Sequence, residues 1–156
     1  GPFPTELFDN IGNHLGEKGQ EFGTVTKRKR RCGWFDSVLL KQSISLNGIT
    51  DIVLTKLDVL DELSEIKICT GYEIEGKEYN YLPSEETLYE KIKPIYEIID
   101  GWQCSTVGID KWNNLPENAK KYIKKFEELM DTEISIVSTG PDRKETIDIK
   151  GTLLNI

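Results

Sequence analysis

Leu115, Ala119, Tyr122, Ile123, Phe126, Leu129 and Met130 recur at steps of three and four, the spacing that gathers side chains on one face of an α-helix. Pro116 suits the first turn of that helix, and the Lys and Glu residues between fill its wet face. Such a helix cannot bury its stripe alone and needs a partner surface. Apolar, β-branched runs supply one, since Ile49 to Leu54, Ile95 to Ile99 and Ile134 to Val137 each read as a strand. A second helix starts after Asp36, a good N-cap, carries Val38, Leu39, Leu40, Ile44 and Leu46, and stops at Asn47-Gly48. Ile66, Ile68, Thr70, Tyr72 and Ile74 alternate with polar neighbours, and Glu75-Gly76-Lys77 separates them from Tyr79 and Tyr81, which predicts a hairpin. A short helix is expected over Glu85 to Ile92, capped by Ser84 and closed by Pro94. Strands alternating with helices predict an α/β fold, with a sheet made mixed by the hairpin. Residues 1 to 24 hold five of the thirteen glycines and two prolines, which predicts a loop-rich entry.

With 156 residues, 37% of them hydrophobic, the chain is long enough for one domain with a sizeable core. Its apolar runs fall far short of the ~20 residues that cross a bilayer, and no signal-peptide pattern opens it. Cys32, Cys69 and Cys104 are widely spaced and lack a C-x-x-C pair, so neither a disulfide framework nor a zinc site is expected, and three free thiols fit a reducing compartment. The opening Gly1-Pro2-Phe3-Pro4 and a single methionine, Met130, lead us to expect a fragment or a processed chain.

Three segments depart from what folding alone asks for. Lys27-Arg28-Lys29-Arg30-Arg31 places five cations in a row, while the other 151 residues carry 15 basic and 27 acidic side chains. A run of that kind reads as a solvated stretch or a localisation signal; flanked by Thr24, Thr26 and Gly33-Trp34 it reads better as a loop that wraps a phosphate or carboxylate. General nucleic-acid binding would want a basic face over the whole domain. Thr55-Lys56-Leu57-Asp58 follows the apolar Ile52-Val53-Leu54, and a carboxylate at a strand's carboxyl end can accept from the N1–H and 2-amino groups of guanine, which adenine lacks there. Taken alone, it is equally an ordinary exposed turn. Ser138-Thr139-Gly140-Pro141-Asp142-Arg143 also follows a short apolar strand, and its amides could meet guanine O6. The two strand ends together match both edges of one base. No G-x-x-x-x-G-K-[ST] run exists, which argues against a self-sufficient GTPase, and the sole histidine, His14, reads as a surface loop side chain.

These segments, with Gly1-Pro2-Phe3-Pro4-Thr5-Glu6, Glu21-Phe22-Gly23-Thr24, Arg30 to Asp36, Leu54 to Asp61, Pro94-Ile95-Tyr96-Glu97 and Gly101-Trp102, resemble adenylosuccinate synthetase almost end to end. The resemblance implies the carboxyl-terminal part of a P-loop-NTPase-like fold, mixed and mainly parallel with flanking helices, lacking its P-loop half. Residues 1–35 would be an entry carrying the aspartate-binding loop, and residues 36–156 the guanine-binding α/β part. It further implies joining of IMP to L-aspartate using GTP and Mg2+, through a 6-phosphoryl-IMP intermediate, in a cytoplasmic homodimer that makes purine nucleotides. Carried over by motif, Thr24, Val25, Thr26, Lys27, Arg28, Lys29 and Arg30 form the loop that takes aspartate and IMP. Arg30, between aspartate and the GTP phosphates, is the catalytic candidate. Lys56, Leu57 and Asp58 hold guanine on one side, and Ser138, Thr139 and Gly140 close the other. Lys27 stands where the family usually has glycine, so a positive φ there would strain it by ~1 kcal/mol. The family's phosphate loop, its proton-taking Asp, its assisting His and its magnesium ligands have no counterpart in this chain. The chain alone is therefore expected to be inactive and to hold no metal, and membrane and nucleic-acid partners are not expected. The competing reading is a non-enzymatic module that uses residues 27–31 to bind anions or nucleic acid.

Overall fold

The computed structural model of the chain describes residues 3–84 and 86–151. In chain order the elements are α1 (Asn10–Lys18), β1 (Phe35–Asp36), α2 (Ser37–Asn47), β2 (Ile52–Leu54), β3 (Glu65–Ile74), β4 (Lys77–Tyr79), β5 (Lys93–Asp100), α3 (Glu117–Met130), β6 (Ile134–Ser138) and β7 (Thr146–Asp148). Short 3-10 turns cover Leu57–Leu60, Glu86–Lys91 and Trp112–Asn114. The helix expected after Ser84 is thus a 3-10 turn, and Glu85 at its expected start lies outside the described residues, as do Gly1 and Pro2. The chain divides into two compact units, one of residues 1–42 and 67–98, the other of residues 43–66 and 99–156.

In the first unit α1 occupies a stretch where glycine density predicted loop. Asp9 caps it by accepting from the Gly12 N–H at 3.0 Å. A Cβ on Gly12 would overlap the Leu7 carbonyl, and one on Gly16 would sit 3.6 Å from the Cys32 sulfur. Close packing against Leu7 accounts for Gly12, while a side chain at 16 would meet Cys32 at ordinary contact distance. His14 accordingly lies on a helix and is half-buried. α2 begins as expected, with the Asp36 Oδ1 accepting from the Val38 and Leu39 amides at 3.1 Å each, and it ends at Gly48 with φ 63°. β1 pairs parallel with β3 through Phe35↔Ile68, and β4 pairs antiparallel with β3 through Tyr72↔Tyr79. The hairpin turn is Glu75-Gly76, with φ of 52° and 82°, the double left-handed conformation that matches strand twist. β5 also joins β3. Tyr72 is fully buried and donates to the Asp36 Oδ2 at 2.7 Å. Burial, helped by the Asp36 charge, pushes the Cys69 thiol up to about 12, so it stays protonated and unreactive at neutral pH.

The second unit is built on a sheet of order β2-β6-β7. β2 and β6 are parallel, with Leu54 beside Val137, and β7 runs antiparallel to β6. The single mixed sheet expected from the sequence is therefore two sheets, each mixed. β7 escaped the sequence reading because three residues are too few to display alternation. Ile134, Val137 and Ile147 of this sheet are buried, as are Ala119, Tyr122, Ile123, Phe126 and Met130 of α3. Each large side chain so buried contributes roughly 1.5–3 kcal/mol. No helix among the described residues is long and apolar enough to cross a membrane.

Candidate functional site

Parallel pairing of β2 with β6 brings two of the three singled-out segments to one sheet end, because both strands point their carboxyl termini the same way. Leu54 and Val137 are register partners, so Thr55 to Asp58 and Ser138 to Gly140 leave the sheet side by side. Lys56 turns the chain sharply, holding φ 61° and ψ 41°, a left-handed conformation that costs a non-glycine residue ~1 kcal/mol. The Lys56 carbonyl accepts from the Val59 N–H at 3.2 Å, and the Asp58 carbonyl from the Asp61 N–H at 3.2 Å, which makes the 3-10 turn. Leu57 and Val59 are buried beneath it, Asp58 is half-buried and Lys56 exposed. The Leu57 side chain is thus part of the core.

The second strand end is held from within. Thr139 is completely buried. Its N–H donates to the Glu145 carbonyl at 2.9 Å, and its hydroxyl reaches the Ile109 carbonyl at 2.8 Å and the Glu145 carbonyl at 3.2 Å. Ser138 Oγ donates to the Gly140 carbonyl at 2.8 Å. The Glu145 carboxylate accepts from the Asp142 N–H at 2.8 Å and lies against Gly140, where any Cβ would overlap it. A side chain at 140 would therefore displace the Glu145 carboxylate from the turn. Thr139 fastens the turn from within. Glu145 drew no attention in the sequence, since nothing in its spacing marks it as the filler of a turn.

In the first unit the basic run forms an exposed loop closed at its base. The Gly23 N–H donates to the Arg28 carbonyl and the Lys27 N–H to the Gly23 carbonyl, both at 2.8 Å, and Phe22 bridges Lys29 antiparallel. Thr24, Val25, Thr26, Lys27, Arg28, Lys29 and Arg30 are all exposed, Val25 by 91%. Lys27 has φ 54°, the conformation that would strain it. Self-repulsion of the run is relieved by acids from the same unit. Arg30 pairs with Glu21 at 3.2 Å, Arg31 with Glu6 at 2.7 Å and Lys29 with Glu17 at 3.7 Å. Lys27 and Arg28 make no such pair among the described residues. A groove of about 320 Å3 beside it is lined in part by Glu21, Arg28, Arg30 and Cys32. Gly33 serves another purpose than the anion-wrapping one expected, because a Cβ there would overlap the Thr5 carbonyl; it lets the chain pack while Trp34 N–H donates to that carbonyl at 3.2 Å. No group of three or more His, Cys, Asp or Glu side chains among the described residues is placed to hold a metal ion.

The model of one protein family, described as adenylosuccinate synthetase, matches residues 1–147. A solved structure of fully ligated adenylosuccinate synthetase from Plasmodium falciparum is 43% identical, covers 96% of this chain and superposes with a TM-score of 0.91. The chain spans 36% of the length of that protein.

Proposed function

The chain belongs to the adenylosuccinate synthetase family, and from that premise we propose that it supplies guanine recognition and the aspartate-binding loop to a GTP-dependent ligase joining IMP to L-aspartate. The observation that carries this reading is the register of β2 with β6, which sets Asp58 and Gly140 at neighbouring strand ends. Guanine presents two donors, N1–H and the 2-amino group, to the Asp58 carboxylate, and the acceptor O6 to the Gly140 amide. Lys56 lays its stem along the base, while Leu57 and Thr139 hold the two turns from the interior. Adenine offers the opposite polarity at position 6 and lacks the 2-amino group. A bidentate contact of this kind discriminates by roughly 1–3 kcal/mol.

The loop does the electrostatic work. Thr26 and Arg28 take the aspartate carboxylates, and Arg28 also lies near the IMP ribose. Arg30, released from Glu21, stands between aspartate and the GTP phosphates as the catalytic cation. Thr24, Val25, Lys27 and Lys29 complete the loop that closes over the substrate. Fixed guanidinium groups offset the repulsion among triphosphate, IMP phosphate and dicarboxylate most strongly where closure excludes water. Arg suits the task because its fork grips carboxylates in pairs and keeps its charge. The magnesium ion the family uses finds no ligand cluster among the described residues, so the roles of the loop rest on its own side chains. Turnover in this proposal needs groups outside this chain, and cytoplasmic, homodimeric assembly belongs to the same proposal. The alternative, a non-enzymatic module that binds anions or nucleic acid through residues 27–31, is disfavoured by the charge of the rest of the chain, 15 basic against 27 acidic side chains.

The test is Asp58→Asn in the complete polypeptide that carries this sequence. Asparagine presents an amide donor where guanine has donors, so GTP use falls and xanthosine triphosphate, with a carbonyl at C2, gains by about 10-fold or more relative to GTP. An unaltered nucleotide preference removes the guanine assignment.

A further inference from the structure

Asp61 is the one charged side chain among the described residues that is buried, and guanine recognition through Asp58 and Gly140 leaves it unused. Its carboxylate accepts three hydrogen bonds at 2.7 Å each, from Trp102 Nε1–H and the Thr106 hydroxyl to Oδ1 and from the Thr106 N–H to Oδ2. No cation pairs with it among the described residues. Taking a carboxylate out of water costs several kcal/mol unless its lone pairs are met, and three short charge-assisted bonds meet them in this pocket. An apolar residue of similar size at 61 would leave the three buried donors of Trp102 and Thr106 without an acceptor. What the carboxylate adds is direction, since it accepts only from donors placed where Trp102 and Thr106 place theirs.

Both ends of this connection matter. On one side, the Asp61 N–H closes the 3-10 turn on the Asp58 carbonyl, so Asp58 and Asp61 share a single rigid turn. On the other side, the segment from Gly101 to Thr106 is itself fixed. The Gly101 N–H donates to the Ser64 carbonyl at 2.8 Å, and the Gly101 carbonyl accepts from Asn118 Nδ2 of α3 at 2.9 Å. The buried Trp102 ring packs on Tyr122 of α3, centroids 6.0 Å apart. The base-reading turn is thereby bolted through Asp61 to the best-formed helix of the unit. A carboxylate that must meet two donors at once tolerates little rotation, since hydrogen bonds weaken steeply as they bend.

We propose that Asp61 is a positioning residue for guanine selectivity, holding the Leu57–Asp61 turn through Trp102 and Thr106 so that Asp58 meets N1–H and the 2-amino group together. The proposal rests on the reading that Asp58 takes guanine. Its test compares kcat/KM for GTP with that for inosine triphosphate, which keeps N1–H and O6 but lacks the 2-amino group, in the complete polypeptide. Asp61→Asn keeps one acceptor oxygen and sets an amide donor against the donors on the other side, and the GTP-to-ITP ratio falls by about 10-fold while the KM for IMP stays within about two-fold. Thr106→Val removes one side-chain donor with little change of shape, and Trp102→Phe removes another with a smaller ring in its place; they lower the ratio by about three-fold and keep the test open should Asp61→Asn fail to fold. Thr106→Ser restores the hydroxyl and restores the ratio. Lower melting temperatures with an unchanged ratio in the folded variants overturn the proposal and leave Asp61 a purely structural group. Asp58→Asn, assayed alongside, separates the two ideas. A collapsed ratio there with unchanged ratios in the others sinks the positioning role alone, whereas an unchanged ratio there sinks the guanine reading first.

Discussion

Lys56 and Lys27 both hold left-handed backbone, with φ of 61° and 54°, yet their surroundings differ in kind. Lys56 leaves a buried strand pair and is followed by buried Leu57 and Val59, so packing enforces its strain. Lys27 sits at the tip of a loop whose neighbours are all exposed, held by backbone bonds to Gly23 and by the closure of Gly23 on Arg28. A site that reads a rigid base gains from the first arrangement, because the acceptor is fixed before the ligand arrives. A loop that must admit a small dicarboxylate and then exclude water gains from the second. The same backbone conformation is enforced by core packing in one place and by backbone hydrogen bonds of an exposed loop in the other.

The contrast between the two places breaks first on stability. Ile134→Ala, at a fully buried position of β6, should cost about 3 kcal/mol in denaturant unfolding, while Val25→Ala at the loop tip should change stability by less than ~0.5 kcal/mol. Similar losses at both positions would erase the distinction. Arg28→Ala should raise the aspartate KM by ~10-fold, about 1.4 kcal/mol, with the GTP KM and the melting temperature unchanged. A matching rise in the GTP KM would show that Arg28 is not confined to aspartate and IMP. Lys27→Gly relieves the left-handed strain but adds chain entropy on unfolding, for a net gain of about 0.5 kcal/mol; a loss would mean that the lysine is not strained.

The smallest effect concerns the far end of the second sheet, where Lys150 Nζ bridges Asp51, just before β2, and Glu133, just before β6. The hydrogen bond from Lys150 holds the Asp51 carboxyl below the usual carboxylate range, and the same bond, with the one Lys150 donates to Glu133, raises Lys150. The Asp51 contribution is therefore present above the ordinary carboxylate pKa and fades as pH falls through the depressed value; the Lys150 contribution fades as pH climbs through the raised one. Lys150→Met should lower the melting temperature slightly at neutral pH and not at all at strongly acid pH, followed by thermal denaturation across that range.

Local chemistry made much of this readable in advance. Asp36 caps α2 and Asn47-Gly48 ends it because caps act within a few residues; the stripe of α3 and the Glu75-Gly76 hairpin follow from periodicity and turn preference. The two strand ends were recognisable because apolar runs stop abruptly before them. Long-range packing was not readable. Gly12 and Gly16 looked like loop because what they approach, Leu7 and Cys32, cannot be inferred from spacing. Asp61 meets its partners across 41 and 45 residues, and Glu145 fills a turn that exists only once β7 returns alongside β6. The Glu6, Glu17 and Glu21 partners of the basic run lie outside it in sequence, so the run looked freer than it is.

The most direct examination of guanine recognition is a crystal structure of the complete polypeptide with a non-hydrolysable GTP analogue. The Asp58 carboxylate is expected within hydrogen-bonding distance of both N1 and the 2-amino group, with O6 on the amide of Gly140. A base bound away from these two strand ends, or one that turns a different edge toward Asp58, would contradict guanine recognition by this pair.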